Sequence, residues 1–121
     1  MYIGIVNKGH QNGRLFGFPT VNIKLDDATH TFEKGVFATK VSIKQRHYFG
    51  MLYIGVRPTL NLKELSIEIH ILDFDEEVYG EALSFTIEKK IREEIRFENK
   101  EALIAQLKKD RDVILEYFHL S

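Results

Sequence analysis

The sequence predicts a mainly β fold, a small antiparallel barrel or sandwich closed by one helix at its C-terminal end. Three observations predict it. Apolar residues recur at every second position, or in unbroken apolar stretches, over six short runs, as strands with at least one buried face require. Polar turns separate several of those runs, the pattern of an antiparallel all-β domain. Only the segment from Asn99 onward changes to helical spacing. The chain has 121 residues, enough for one domain, residues 1–121, to bury a core without covalent staples.

Tyr2 to Val6 opens as a short apolar strand. Thr20 to Leu25 alternates around Val21, Ile23 and Leu25. Gly35 to Ile43 puts Phe37, Thr39, Val41 and Ile43 on one side. Tyr48 to Ile54 follows, and the polar run Lys44-Gln45-Arg46-His47 between the two suits a hairpin. Leu65 to Leu72 sets Leu65, Ile67, Ile69 and Ile71 on one face and Ser66, Glu68 and His70 on the other. Ala82 to Ile87 completes the six. In the last segment Asn99 is placed to cap a helix and Glu101 to complement its dipole. Leu103, Ile104, Leu107, Arg111, Ile114, Leu115 and Phe118 then recur at helical spacing opposite Lys108, Lys109 and Asp112. That stripe predicts a packing element docked on the barrel.

Composition narrows the function. Seventeen basic and 18 acidic residues leave a net charge of −1, against the basic excess of a nucleic-acid-binding domain; no nucleic acid is expected as a partner. Cysteine is absent, which removes disulfides and thiolate metal sites and suits a reducing cytoplasm. No apolar run is long enough to span a bilayer, and the N-terminus lacks the form of a signal peptide.

The stretch Gly9 to Asn22 reads GHQNGRLFGFPTVN. Glycines at 9, 13 and 17 let bare backbone N–H groups approach an anion. Pro19 fixes its own φ and keeps Phe18 extended. If the chain stays extended, Thr20 and Asn22 share a face and offer two hard oxygen donors, plausible chemistry for Mg²⁺ beside phosphates. On Leu65 to Leu72, Glu68 is a carboxylate held in a fixed direction, as a general base needs, although polar-out alternation also describes any solvated strand face. His70 has no second ligand at metal spacing and reads as a hydrogen-bonding residue. Asp73, Asp75, Glu76 and Glu77 read as a solvated loop, and Gly55-Val56-Arg57-Pro58-Thr59 as a stiff turn. Ile91 to Phe97 reads as a charged turn leading into the helix, with Phe97 as a hydrophobic staple. Walker A and protein-kinase motifs are absent.

Taken together, Gly9-x-x-x-Gly13-Arg14-x-x-Gly17-Phe18-Pro19-Thr20-x-Asn22, the run Ile67 to Asp75 followed by Tyr79-Gly80, and Ile91 to Phe97 resemble the riboflavin kinase (flavokinase) family, including the C-terminal module of bacterial bifunctional FAD synthetases. The resemblance runs from Gly4 to about Phe118. It implies a six-stranded Greek-key barrel with a C-terminal helix, and transfer of the γ-phosphate of ATP to riboflavin. It implies Glu68 as the catalytic base and Thr20 and Asn22 as holders of Mg²⁺. Gly9, Gly13, Arg14, Gly17, Thr20, Ile71, Asp73 and Tyr79 would contact ATP, and Arg92 and Phe97 would line the flavin site. Ile95 and Arg96 depart from the small polar or lysine residues usual there. The IEIHILDFD and IREEIRF runs fit bacterial forms closely, which favours a module of a longer protein carrying a linked FMN adenylyltransferase over a natural stand-alone kinase. A flavin-binding barrel without kinase activity, a sensor or carrier, is the alternative, and Glu68 discriminates the two.

Overall fold

Antiparallel pairing closes the sheet on itself. The computed structural model describes residues 1–7, 18–25, 32–58 and 63–119, arranged as β1 (Tyr2–Asn7), β2 (Val21–Leu25), β3 (Gly35–Ile43), β4 (Arg46–Pro58), β5 (Lys63–Ile71), β6 (Ala82–Phe85), β7 (Lys89–Arg92) and α1 (Lys100–Tyr117). The spatial order is β4-β5-β2-β1-β6-β3, and β3 pairs back onto β4. Six strands thus make a closed antiparallel barrel with one C-terminal helix. Strands β3, β4 and β5 pair in succession and β6 returns beside β3, which is a Greek key.

The sixth predicted run, Ala82 to Ile87, is where the structure differs most. It shortens to β6, and a seventh strand that the sequence does not announce, β7, follows it from Lys89. β6 pairs with Val41 to Ile43, and β7 takes over along Val36 to Ala38. Side chains bridge the gap: Thr39 Oγ1 donates to the Thr86 carbonyl, and Lys40 N–H donates to Thr86 Oγ1 at 3.1 Å. In β7 the register shifts between Val36 and Phe37, so that Lys90 and Arg92 are paired and Ile91 is not. Such a bulge re-aims the side chain beside it, here Arg92.

The other strands keep their predicted places with shifted ends. β4 is longer than Tyr48 to Ile54, because the hairpin turn contracts to Lys44 and Gln45, with φ of 51° and 63°. Two central residues at positive φ match the right-handed twist of the flanking strands. Residues 55–58, expected in a stiff turn, instead finish β4 opposite Ser66 to Lys63; Thr59 lies outside the described residues. Pro58, which lacks an N–H, falls at the strand's last position, where the ladder loses least.

The barrel interior holds Val6, Ile23, Phe37, Val41, Leu52, Ile54, Ile67, Ile69, Leu83 and Phe85. A second cluster lies outside it, where Phe18, Ala38, Met51 and Leu72 meet Leu107 and Ile114 of α1. The middle stretches of β3 and β4 are therefore buried on both faces, with Ala38 and Met51 beneath the helix. Asn99 caps α1 as expected, accepting from the Ala102 N–H at 2.8 Å.

Candidate active site

The site grows from the outer face of β5. Glu68 stands opposite Asn22 of β2 and Tyr53 of β4, and residues directly opposite in antiparallel strands share a face. Thr20 Oγ1 donates to Glu68 Oε1 at 3.1 Å. Thr20, Asn22 and Glu68, separated in sequence, are thus brought together.

Two residues along β5, His70 holds the entry to β2. Its Nδ1 lies 2.7 Å from the Pro19 carbonyl, and because a carbonyl only accepts, Nδ1 carries the proton. The buried Phe18 ring meets His70 edge-on at 5.3 Å, with the Arg111 guanidinium 5.5 Å from the Phe18 centroid. Burial lowers the His70 pKa below its usual value, the Pro19 bond opposes that, and Arg111 adds to it. The imidazole is held neutral, and Phe18-Pro19-Thr20 is held from both sides.

Glu68 stands between two clefts. The first, about 340 Å³, is lined by Asn7, Pro19, Thr20, Asn22, Ile71 and Tyr79, with Asp75, Glu76 and Glu77 at its side. Asp73 is exposed at φ 55° and is not among these residues. The Thr20 hydroxyl gives its proton to Glu68 and keeps lone pairs free, and the Asn22 amide supplies a second oxygen. This donor set fits Mg²⁺, which takes one or two protein ligands and the rest from phosphates and water. Among the described residues no cluster of three or more His, Cys, Asp or Glu could hold a metal by itself.

The second cleft, about 440 Å³, is lined by Tyr53, Gly55, Ser66, Glu68, Arg92 and Phe97, among others. Its walls come from the start of β3, from β4, β5 and the end of β7, and from the segment that leads into α1 together with the first turns of that helix. The Arg92 guanidinium carbon lies 5.8 Å from the Phe97 centroid. Arg92 Nε and Nη2 both donate to the Asp110 carboxylate, at 2.8–3.0 Å, while Nη1 donates to the Glu93 carbonyl. Gln106 Nε2 donates to Asp110 at 2.9 Å. Burial raises the Tyr53 pKa strongly, and Asp110 adds to it, so the phenol stays protonated. Phe97 and Leu103 line the same cleft, so packing against the helix and facing the cleft are compatible roles for Phe97.

Of the residues singled out from sequence, Thr20, Asn22, Ile71 and Tyr79 line one cleft and Glu68, Arg92 and Phe97 the other. Gly9, Gly13, Arg14 and Gly17 lie outside the described residues. Sequence reasoning missed Tyr53, Gln106 and Asp110. For Asp110 a signal was available: Leu103, Leu107 and Ile114 set the buried stripe, and position 110 falls on it. A carboxylate at such a position requires a buried cationic partner.

The chain matches the family model described as Flavokinase: Riboflavin kinase over residues 1–118. It is 39% identical over 118 residues to the RNA-binding riboflavin kinase RibR of Bacillus subtilis, covering 97% of this chain and 50% of that protein. It is 37% identical over 118 residues to the bifunctional riboflavin kinase/FMN adenylyltransferase of the same organism, covering 95% of this chain and 37% of that protein. The chain therefore spans half of the first relative and little more than a third of the second. Among solved structures, one described as a macrolide-efflux protein from Streptococcus pneumoniae superposes with a TM-score of 0.88 at 33% identity, over 93% of this chain and 37% of that one. Among the described residues of this chain, no helix is long and apolar enough to cross a membrane. Riboflavin kinase from Trypanosoma brucei superposes with a TM-score of 0.68 at 23% identity, over 98% of this chain and 78% of that one, a likeness of fold. With the family match running over residues 1–118, the chain belongs to the riboflavin kinase (flavokinase) family.

Proposed function

We propose that this chain is the kinase itself, transferring the γ-phosphoryl group of ATP to the 5′-hydroxyl of riboflavin to give FMN and ADP. The observation that carries the reading is the position of Glu68 between a cleft bearing Thr20 and Asn22 and a cleft bearing Arg92 and Phe97. Riboflavin occupies the second cleft, with the ring system against Phe97 and Arg92 and the ribityl chain running toward Glu68. An aromatic face and a guanidinium plane both stack on a flat heterocycle. The triphosphate occupies the first cleft, between Ile71 and Tyr79, and Gly9, Gly13, Arg14 and Gly17 of the family motif are its further contacts in this reading.

Glu68 accepts the proton of the ribityl 5′-hydroxyl. The hydroxyl oxygen forms its new bond to the γ-phosphorus while the bond from that phosphorus to the β–γ bridging oxygen breaks, and ADP leaves with the electron pair. Thr20 fixes the direction of the Glu68 carboxylate, which retains further lone pairs for the incoming proton. Thr20 and Asn22 would hold Mg²⁺, which when bound offsets charge on the phosphate oxygens. A linked FMN adenylyltransferase module belongs to this reading as part of a longer protein, and the cytoplasm as its compartment.

The test is FMN formation, followed by chromatography, with riboflavin, ATP and Mg²⁺ for wild type and Glu68→Gln. A general base contributes on the order of 10²–10⁴-fold, and the variant is expected to lose a rate factor of that size with its fold intact. Equal FMN from both proteins would remove Glu68 as base. A folded wild type that binds riboflavin but forms no FMN would favour a non-catalytic flavin-binding barrel.

A further inference from the structure

Asp110 is the one ionisable side chain among the described residues buried to 1% exposure, and the phosphoryl-transfer step does not use it. It lies on α1, outside the barrel. Its two oxygens receive Arg92 Nε and Nη2, and Oδ1 also receives Gln106 Nε2. Arg92 itself keeps only 14% side-chain exposure and leaves the sheet at the bulge of β7. A bidentate carboxylate fixes both the place and the plane of a guanidinium. The guanidinium carbon so held lies 5.8 Å from the Phe97 ring centroid, and both residues line the second cleft.

We propose that Asp110, seconded by Gln106, is a positioning residue for flavin binding: it holds the Arg92 guanidinium in the plane that the flavin ring system meets. The proposal rests on the reading of the second cleft as the flavin site. Without the Asp110 carboxylate, Arg92 keeps its charge but loses its fixed orientation, and each flavin bound must then order it. The cost falls on riboflavin binding. Glu68, Thr20 and Asn22 belong to β5 and the entry of β2, which Asp110 does not touch, so the chemical step and the nucleotide side are spared. A merely structural aspartate behaves otherwise, because its loss lowers the fraction of folded enzyme and with it the apparent kcat, without moving the riboflavin KM.

The experiment measures riboflavin KM, ATP KM and kcat, together with riboflavin Kd from quenching of flavin fluorescence, for wild type, Asp110→Asn, Arg92→Ala, Phe97→Ala and the Asp110→Asn/Arg92→Ala pair. Asp110→Asn is expected to raise riboflavin KM and Kd by about tenfold, the scale of one charge-assisted hydrogen bond, with ATP KM unchanged and kcat within about threefold. In the Arg92→Ala background the same change is expected to add nothing further, because the two residues act as one unit. If Asp110→Asn does not fold, Gln106→Met removes one of the bonds that hold Asp110 from a half-buried position, and a rise in riboflavin KM of about threefold is expected there. A riboflavin KM that stays at the wild-type value in Asp110→Asn, or in Gln106→Met where that variant decides, while Arg92→Ala weakens it, overturns the positioning role alone. A riboflavin KM unmoved by both Arg92→Ala and Phe97→Ala overturns the flavin reading of the cleft and the positioning role with it.

Discussion

A neutral imidazole fastens the segment that carries Thr20. His70 donates from Nδ1 to the Pro19 carbonyl and is pressed between that carbonyl and Phe18. Its pKa is lowered from 6.5, first by burial, so the unfolded chain binds the histidine proton more readily than the folded one. The stability this gives is complete above pH 6.5 and is lost as pH falls from there through the folded-state pKa. Thermal unfolding midpoints are expected to fall between pH 7 and 5, and His70→Gln is expected to flatten part of that slope; an unchanged slope would mean that His70 titrates freely. Legibility at this scale was uneven. The hydrogen-bonding role of His70 was readable because no second ligand stood at metal spacing. That its partner would be the Pro19 carbonyl was not, because the bond joins residues 51 positions apart. Glu68 alternates like any solvated residue, and only its place in a family motif lifted it out.

Elements with a long period were read correctly from the chain, and those that borrow their structure from a neighbour were not. α1 has several turns of apolar stripe and an Asn99 cap, and β3 is nine residues long with Phe37, Thr39, Val41 and Ile43 on one side. β7 is four residues, Lys89-Lys90-Ile91-Arg92, with too few apolar positions for a period; it is a strand because β3 offers it a free stretch of ladder. The β3–β4 turn shows the same dependence. Lys44 and Gln45 occupy left-handed backbone that neither side chain favours, and the sheet twist imposes it. Replacing Lys44-Gln45 with Asn-Gly, which adopts that turn readily, is expected to raise the unfolding free energy by about 0.5–1 kcal/mol in denaturant titrations. No gain would show that the turn stores no strain.

At the scale of the whole described fold, barrel, helix and two clefts form a single unit, and the proposed transfer uses one carboxylate of it, Glu68. Phosphoryl transfer at the γ-phosphorus and adenylyl transfer at the α-phosphorus demand different attacking groups and different placements of the nucleotide. The chain incubated with riboflavin, ATP and Mg²⁺ is therefore expected to accumulate FMN and to form no FAD, as chromatography of the flavins would show; an FAD peak would reveal a second transfer activity here. The Arg92–Asp110 pair carries one more consequence, and it concerns time. Every strand of the barrel precedes Asp110 in the chain, so a ribosome releases the whole Greek key before it releases the residue that sets Arg92. The strands that carry Glu68 and Asn22 are made first, while Phe18 beside Thr20 and Arg92 at the second cleft both wait for α1 to pack against them. The wall of the second cleft is completed only when α1 docks, and the same step covers Phe18.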